Sequence, residues 1–258
     1  MTPASVQQEN RTGSIEIKGY VVSEQAVPGR TAPGDTAEVR VAIDASSGCE
    51  RLEQRVIRFQ AGRSADRLLD GRQEVLYVAA GTGTVEVNGE RHSLEPDTGV
   101  YLAPGDRYAI ENAGPSELHI VSVTAPVEES RVGDGGRGVT VRAADRPALS
   151  ASPNREFRYL VNQDLGCRDV TQFVGLIPPG RAAMHSHIYD EVVYVVEGEG
   201  ILHLGGASRP IAAGSCIHLP PLAEHCLENT GDKPMRVLGV FHPSGDPASK
   251  AYEAKEGT

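Results

Sequence analysis

No run of this chain is apolar for long enough to span a membrane. Its first ten residues, Met-Thr-Pro-Ala-Ser-Val-Gln-Gln-Glu-Asn, carry no apolar segment of the signal-peptide kind. Basic residues are the minority, 25 Lys and Arg against 35 Asp and Glu, for a formal net charge of −10. A general nucleic-acid binder needs the opposite balance to neutralise phosphates, so that class is set aside and the acidity reads as a solubility feature. Cysteine is sparse: Cys49, Cys167, Cys216 and Cys226 show no CxxC spacing and read as small buried thiols. There is no nucleotide-binding loop, no cofactor fingerprint and no distinctive cationic cluster to name a substrate. The expectation is a cytoplasmic protein with no nucleic-acid or membrane partner.

What the chain has in quantity is turn residues, 29 Gly and 17 Pro among 258. Between them lie short segments of alternating polarity, the signature of strands rather than helices. Residues 14–22, 37–43 and 55–60 are examples. The length suffices for one large or two small domains.

The chain also repeats itself. Glu74-Val-Leu-Tyr-Val-Ala-Ala-Gly81 matches Glu191-Val-Val-Tyr-Val-Val-Glu-Gly198 at an offset of 117, and the offset holds without a gap to Pro126 and Pro243. Shared residues include Tyr77/Tyr194, Gly89/Gly206, Pro104/Pro221 and Asn112/Asn229. A gapless repeat of this length indicates duplication of a whole domain. Asn88-Gly89 predicts a tight hairpin, and Gly205-Gly206 predicts its counterpart. The expected organisation is a disordered tail over 1–13 and a first domain over 14–127. A linker with a shared strand follows over 128–153, then a second domain over 154–243 and a tail over 244–258 with a short helix near 247–254.

Polar residues that attract metals are unequally divided between the copies. In the second, His185, His187, Glu191 and His225 have the spacing of a mononuclear metal site built on strands. Two histidines two residues apart leave the same face of a strand, with Ser186 pointing away. Glu191 follows across a short turn. His225 arrives after an apolar strand and a Pro-Pro turn. At the same positions the first copy has Leu68, Asp70, Glu74 and Tyr108, so only the carboxylate survives and no transition metal is expected there. Weaker candidates for positioning or acid–base roles are His203 and His218, on strands of the second copy. His242 reads as structural, and Tyr189 and Asp190 as turn residues.

These segments resemble the two cupin motifs. The first reads Gly-x4-His-x-His-x3-Glu-x6-Gly from Gly180 to Gly198, and the second Gly-x5-Pro-x4-His-x3-Asn from Gly214 to Asn229. Two small departures are one residue fewer before the first His and Leu222 in place of a motif Gly. The resemblance covers both copies and implies an all-β bicupin, two tandem jelly-roll β-barrels, with the metal in the second. It implies one divalent transition metal (Fe, Mn, Ni, Cu or Zn) held by His185, His187, Glu191 and His225, with positions left open for a small-molecule substrate. Cupins include dioxygenases, decarboxylases, isomerases, hydrolases and binding or storage proteins, so fold does not settle reaction. The expectation is a metal-dependent enzyme acting on a small polar organic molecule, with a dioxygenase ranked first. A hydrolase or isomerase is second, and a non-enzymatic binding protein third. Association through sheet edges makes a homodimer a further expectation.

Overall fold

A computed structural model describes residues 19–128, 137–152 and 154–249. The expected disordered tail over 1–13, the start of the strand expected over 14–22, the glycines of 133–136, and residues 250–258 lie outside the described residues. Among the described residues the chain is all-β, with helix confined to single 3₁₀ turns, and no helix is long and apolar enough to cross a membrane. Residues 247–249 of the expected terminal helix form only a turn.

Each copy is a large sheet facing a small one. The first copy's large sheet runs, in spatial order, Thr140–Arg142, Thr98–Leu102, Arg72–Ala80, Leu118–Pro126, Glu53–Phe59, Ala37–Ile43 and Arg30–Thr31. The second copy's runs Tyr20–Ser23, Ser215–Leu219, Asp190–Glu197, Met235–His242, Thr171–Ile177, Arg155–Val161 and Leu149–Ser152. The small sheets are built from Arg107–Asn112, Gly83–Val87 and Glu90–Leu94 in one copy, edged by the two-residue strands Gly62–Arg63 and Arg67–Leu68, and from His225–Asn229, Glu199–Leu204 and Ala207–Ala212 in the other, edged by Gly180–Arg181. The hairpins expected from Asn88-Gly89 and Gly205-Gly206 are present, with φ of 52° and 90° in the first and 55° and 80° in the second. Both residues of such a turn are left-handed, which is why Asn and Gly occupy it.

The edge strands are exchanged. Tyr20–Ser23, at the start of the described chain, pairs with Ser215–Leu219 of the second copy. Thr140–Arg142, within the linker expected over 128–153, pairs with Thr98–Leu102 of the first. Each sheet is therefore closed on one edge by a strand that precedes the other copy in the chain, and an exposed row of unpaired backbone groups is covered.

The long central strands are buried on both faces, because each large sheet packs inside its own copy on one side and against the other large sheet on the other. Val75 and Tyr77 join Val192, Tyr194, Leu238 and Val240 in one apolar core between the copies. Their neighbours Leu76 and Val78 fill the interior of the first copy, and Val193 and Val195 that of the second. Successive side chains of a strand point to opposite faces, so each strand reads as a continuous apolar run. Each fully buried Val, Leu or Ile contributes about 1.5–3 kcal/mol of burial energy.

The candidate metal centre in the second copy

The arithmetic of alternation decides what faces the interior of the second copy. Glu191, Val193 and Val195 point inward from Asp190–Glu197, while Asp190, Val192 and Tyr194 point toward the other copy. His225 and Leu227 point inward from the small sheet, and Cys226 and Glu228 outward. His185 and His187 lie on an extended segment rather than in a regular ladder. An isolated bridge between His185 and His225, with N–H···O bonds of 3.0 and 2.8 Å, fixes that segment to the strand beginning at His225.

The result is convergence. One ring nitrogen from each of His185, His187 and His225 lies within 4.8 Å of the others. Glu191 Oε2 lies 3.6 Å from His187 Nε2 and 4.0 Å from His225 Nε2. The opposite nitrogens are occupied: Nδ1 of His185 lies 3.1 Å from the Ala183 carbonyl, Nδ1 of His225 2.8 Å from the Ala223 carbonyl. A backbone carbonyl accepts, so both rings carry their proton on Nδ1 and present the Nε2 lone pair to the interior. Nδ1 of His187 lies 3.1 Å from the Tyr189 hydroxyl, and the Tyr189 ring stacks on the imidazole with 4.9 Å between centroids. Tyr189, read from sequence as a turn residue, is thus a support for His187.

Three observations show that these groups suit a divalent cation. Burial pushes His187 down to about 3 and His225 to about 4, with the neighbouring imidazoles adding to the effect, and lowers His185 as well. The rings are therefore neutral, the form that coordinates a metal. Burial alone pushes Glu191 up to about 8, because no positive group compensates its charge. Glu191 Oε2 is buried and has no hydrogen-bond partner among the described residues. A cation among the four would use the three lone pairs and the orphaned oxygen together.

Two cavities open onto this point. An outer one of about 330 Å³ is lined by Asn154, Arg155, Gly180, Met184, His185 and His187 among others. An inner one of about 110 Å³ reaches Glu191, His225, Leu219 and Phe241. Arg155 borders both. Its guanidinium is half-buried and donates to the Leu227 carbonyl at 3.0 Å, and burial lowers its pKa. No carboxylate pairs with it among the described residues. Nothing in the sequence marked Arg155, which stands outside both motifs.

A family model for the cupin domain matches residues 55–124 and 173–241, more than half of the chain. The chain belongs to the cupin family. Both of its copies are cupin domains by that match, and the all-β, two-copy architecture expected from the resemblance is present. An uncharacterized protein of Methanocaldococcus jannaschii is 30% identical over 70 residues, 26% of this cupin and 56% of that relative, so this chain spans little more than half of it. An oxalate-binding protein of Thermotoga maritima is 28% identical over 115 residues, 41% of this cupin and 95% of that protein. Among solved structures, a glyoxylate-induced protein from Pseudomonas aeruginosa superposes with a TM-score of 0.75 at 16% identity, over 93% of this chain and 95% of that one. Oxalate decarboxylase of Bacillus subtilis gives 0.71 at 14% identity, over 87% and 77%. At these identities the structural likenesses concern the fold.

The two weaker candidates do not reach the bicupin's interior. His203 points outward from the small sheet, between Ser208 Oγ at 2.9 Å and Glu228 Oε2 at 2.7 Å. His218 points to the other copy and lies 3.0 Å from Asp190 Oδ1. Alternation along Ser215–Leu219 correctly sets His218 on the face of Cys216. That face is not the cavity face, because both sides of the sheet are covered. The motif departure at Leu222 has a visible cost: its φ is 64°, where the equivalent Gly105 has 85°. A left-handed Leu costs about 1–2 kcal/mol. It is held by a 2.6 Å hydrogen bond to the His187 carbonyl.

Proposed function

We propose that the second cupin domain holds one divalent transition metal through His185, His187, Glu191 and His225, and that the protein is an enzyme acting there on a small organic carboxylate. The observation that carries the reading is the buried, unpartnered Glu191 Oε2 among three neutral imidazoles. Such a metal supplies Lewis acidity and open positions for substrate oxygens, and redox capacity where it is Fe or Mn. Three histidines and one carboxylate leave a net charge of about +1 with a divalent ion, which favours an anionic ligand.

The chain's own residues supply the rest. Arg155, unpaired by any carboxylate among the described residues and bordering both cavities with His185, supports recognition of a carboxylate through paired N–H donors. Val193, Leu219, Leu227 and Phe241 line the inner cavity and exclude water, which strengthens every polar contact inside it. Tyr189 and the Ala183 and Ala223 carbonyls hold the imidazoles in one tautomer.

For the reaction, an O2-dependent cleavage of a carbon–carbon bond next to the carboxylate remains the first reading. A decarboxylation, releasing CO2 and taking up a proton from solvent, is the second. It is favoured by the relatives, since oxalate stands in the names of a binding protein from Thermotoga maritima and a decarboxylase from Bacillus subtilis, the latter having Mn(II) centres. The test is calorimetric titration of Fe(II)- or Mn(II)-loaded protein with oxalate and larger carboxylates, followed by O2 uptake and CO2 release. Binding that vanishes in His185→Ala and weakens about 10- to 100-fold in Arg155→Leu supports the carboxylate reading. Equal binding in all three proteins would sink it. O2 consumption assigns the dioxygenase; CO2 release without net O2 consumption assigns the decarboxylase.

A further inference from the structure

The fold sets a second group of metal-binding side chains between the copies, on the opposite face of the strand that carries Glu191. Cys49, Asp190 and His218 each offer a ligand atom within 4.8 Å of the others. Cys49 comes from the first copy, Asp190 and His218 from the second. The thiol and the imidazole are fully buried, at 1% and 0% exposure. His218 Nε2 reaches Asp190, and its Nδ1 has no partner among the described residues. His242 is the cross-strand partner of Asp190, is 0% exposed, and has neither ring nitrogen partnered among the described residues. One orphaned nitrogen of His218 beside a buried thiol, and two more on His242, which lies next to Asp190 across the sheet but outside the 4.8 Å group, are costly unless something binds them.

The duplication provides a control. Cys49 follows a left-handed Gly48 (φ 91°), and Cys167 follows a left-handed Gly166 (φ 94°) in the second copy. At the repeat offset, Asp190 corresponds to Gln73, His218 to Tyr101 and His242 to Ala125. The two clusters are thus related by the duplication. Around Cys167 the set is satisfied internally: the Tyr101 hydroxyl donates to Gln73 Oε1 at 3.3 Å, and the thiol donates to the same oxygen at 3.4 Å. Around Cys49 every one of the three other positions has changed to a metal-ligand type, or in the other direction lost one. Chance burial of polar groups favours neutral pairs such as Gln and Tyr, and does not collect a thiol, a carboxylate and two imidazoles at one set of equivalent positions.

We propose that Cys49, Asp190 and His218 form a second metal site that binds a zinc-class divalent cation between the two copies, with the His242 side chain turning in to complete it as the fourth donor. A thiolate, a carboxylate and two neutral imidazoles sum with a divalent ion to zero charge, which suits a fully enclosed position. Loading removes one proton from the Cys49 thiol to solvent, and the ion takes its place. The donor set has four protein ligands and includes a thiolate, so the site is of the closed, structural kind, unlike the candidate centre at Glu191. It joins the two copies, and its burial means that the ion enters as they come together.

The test uses cobalt, whose thiolate-to-metal charge-transfer absorption in the near ultraviolet reports a sulfur ligand. Full-length His185→Ala/His225→Ala protein, which lacks the first candidate centre, is refolded with Co(II) in the absence of oxygen. The expected result is one equivalent of cobalt per chain with the charge-transfer band. The band disappears when Cys49→Ser or His218→Gln is added and persists with Cys167→Ser. Wild-type protein then takes up one further equivalent without a second thiolate band, so failure of either site is read separately. Absence of the band in the double variant, or its survival in Cys49→Ser, would overturn the proposal. Where Cys49→Ser does not refold, the band and stoichiometry of the double variant still decide the question.

Discussion

Glu74 and Glu191 occupy the same place in two copies of one fold, and their surroundings have gone opposite ways. Glu74 accepts hydrogen bonds from Tyr108 at 2.8 Å and from the Ser122 hydroxyl, and is sealed in. Tyr108 stands where the second copy has His225, and Ser122 where it has Gly239. The segment that carries His185 and His187 has Leu68 and Asp70 in the first copy, both exposed. One carboxylate is plugged by two hydroxyls; the other is left with an oxygen that no described group satisfies. A duplicated barrel thus keeps a buried acid in one half by giving it neutral donors, and in the other beside three imidazoles with one oxygen unpartnered among the described residues.

The largest effect is expected at the two equivalent positions 225 and 108. His225→Ala should weaken metal binding by at least about 100-fold in a chelator-competition titration, beyond what loss of a supporting group costs. Tyr108→Ala should leave that affinity unchanged and destabilise the fold by about 3 kcal/mol in denaturant unfolding. A metal-affinity loss in Tyr108→Ala would end the claim that the first copy is inert.

Next comes Glu24, in the 3₁₀ turn after the exchanged strand Tyr20–Ser23. Burial pushes this carboxyl up, but hydrogen bonds from His119 and Tyr194 and the Arg58 guanidinium outweigh it and hold it near 2, against an ordinary 4.5. A depressed carboxyl stabilises fully above its unfolded value and loses that contribution as pH falls from 4.5 toward 2. The contribution is about 3 kcal/mol. Glu24→Gln should flatten the acid limb of stability against pH in that window; an unchanged limb would refute the role.

Smaller, Glu74→Gln should cost about 1–2 kcal/mol by disturbing the Tyr108 and Ser122 hydrogen bonds, with no change in metal content by elemental analysis. Smallest is Leu222→Gly, which should raise stability by about 1 kcal/mol or less by relieving the left-handed backbone, as Gly105 already does in the first copy. A loss of metal affinity in the same variant would show that the strained backbone, bonded to the His187 carbonyl, helps to set the imidazole.

The repeat and the two motifs were open to reading because turn glycines and strand alternation are local. The gathering of His185, His187, Glu191 and His225 followed from spacing together with the family pattern. The face of His218 was not readable, because a strand covered on both sides gives no apolar contrast between them. The exchange of Tyr20–Ser23 and Thr140–Arg142 was hidden for another reason. Partners so far apart in sequence leave no local pattern from which the pairing can be read. Arg155 and Cys49 carried no local signal at all; each acquires meaning from what another segment places beside it.

Asp97 and Gly214 correspond in the repeat, and Gly214 has a consequence for the order of the halves. Asp97 binds the Tyr77 hydroxyl and pairs with Arg236. At Gly214 there is no such acid, and Glu24 fills the gap, its Cγ only 3.1 Å from where a side chain on Gly214 would begin. Glu24 then binds Tyr194, the counterpart of Tyr77. The segment before the second half has Ala143 at the corresponding place in its 3₁₀ turn, and the acid of that turn, Asp145, is paired with Arg142 on the surface. The halves are therefore not interchangeable beads. A gene with its two repeats transposed, each keeping the leader that now precedes it, preserves both partnerships; one in which the leaders stay and the repeats trade places leaves Tyr194 without its acid and Tyr77 facing two.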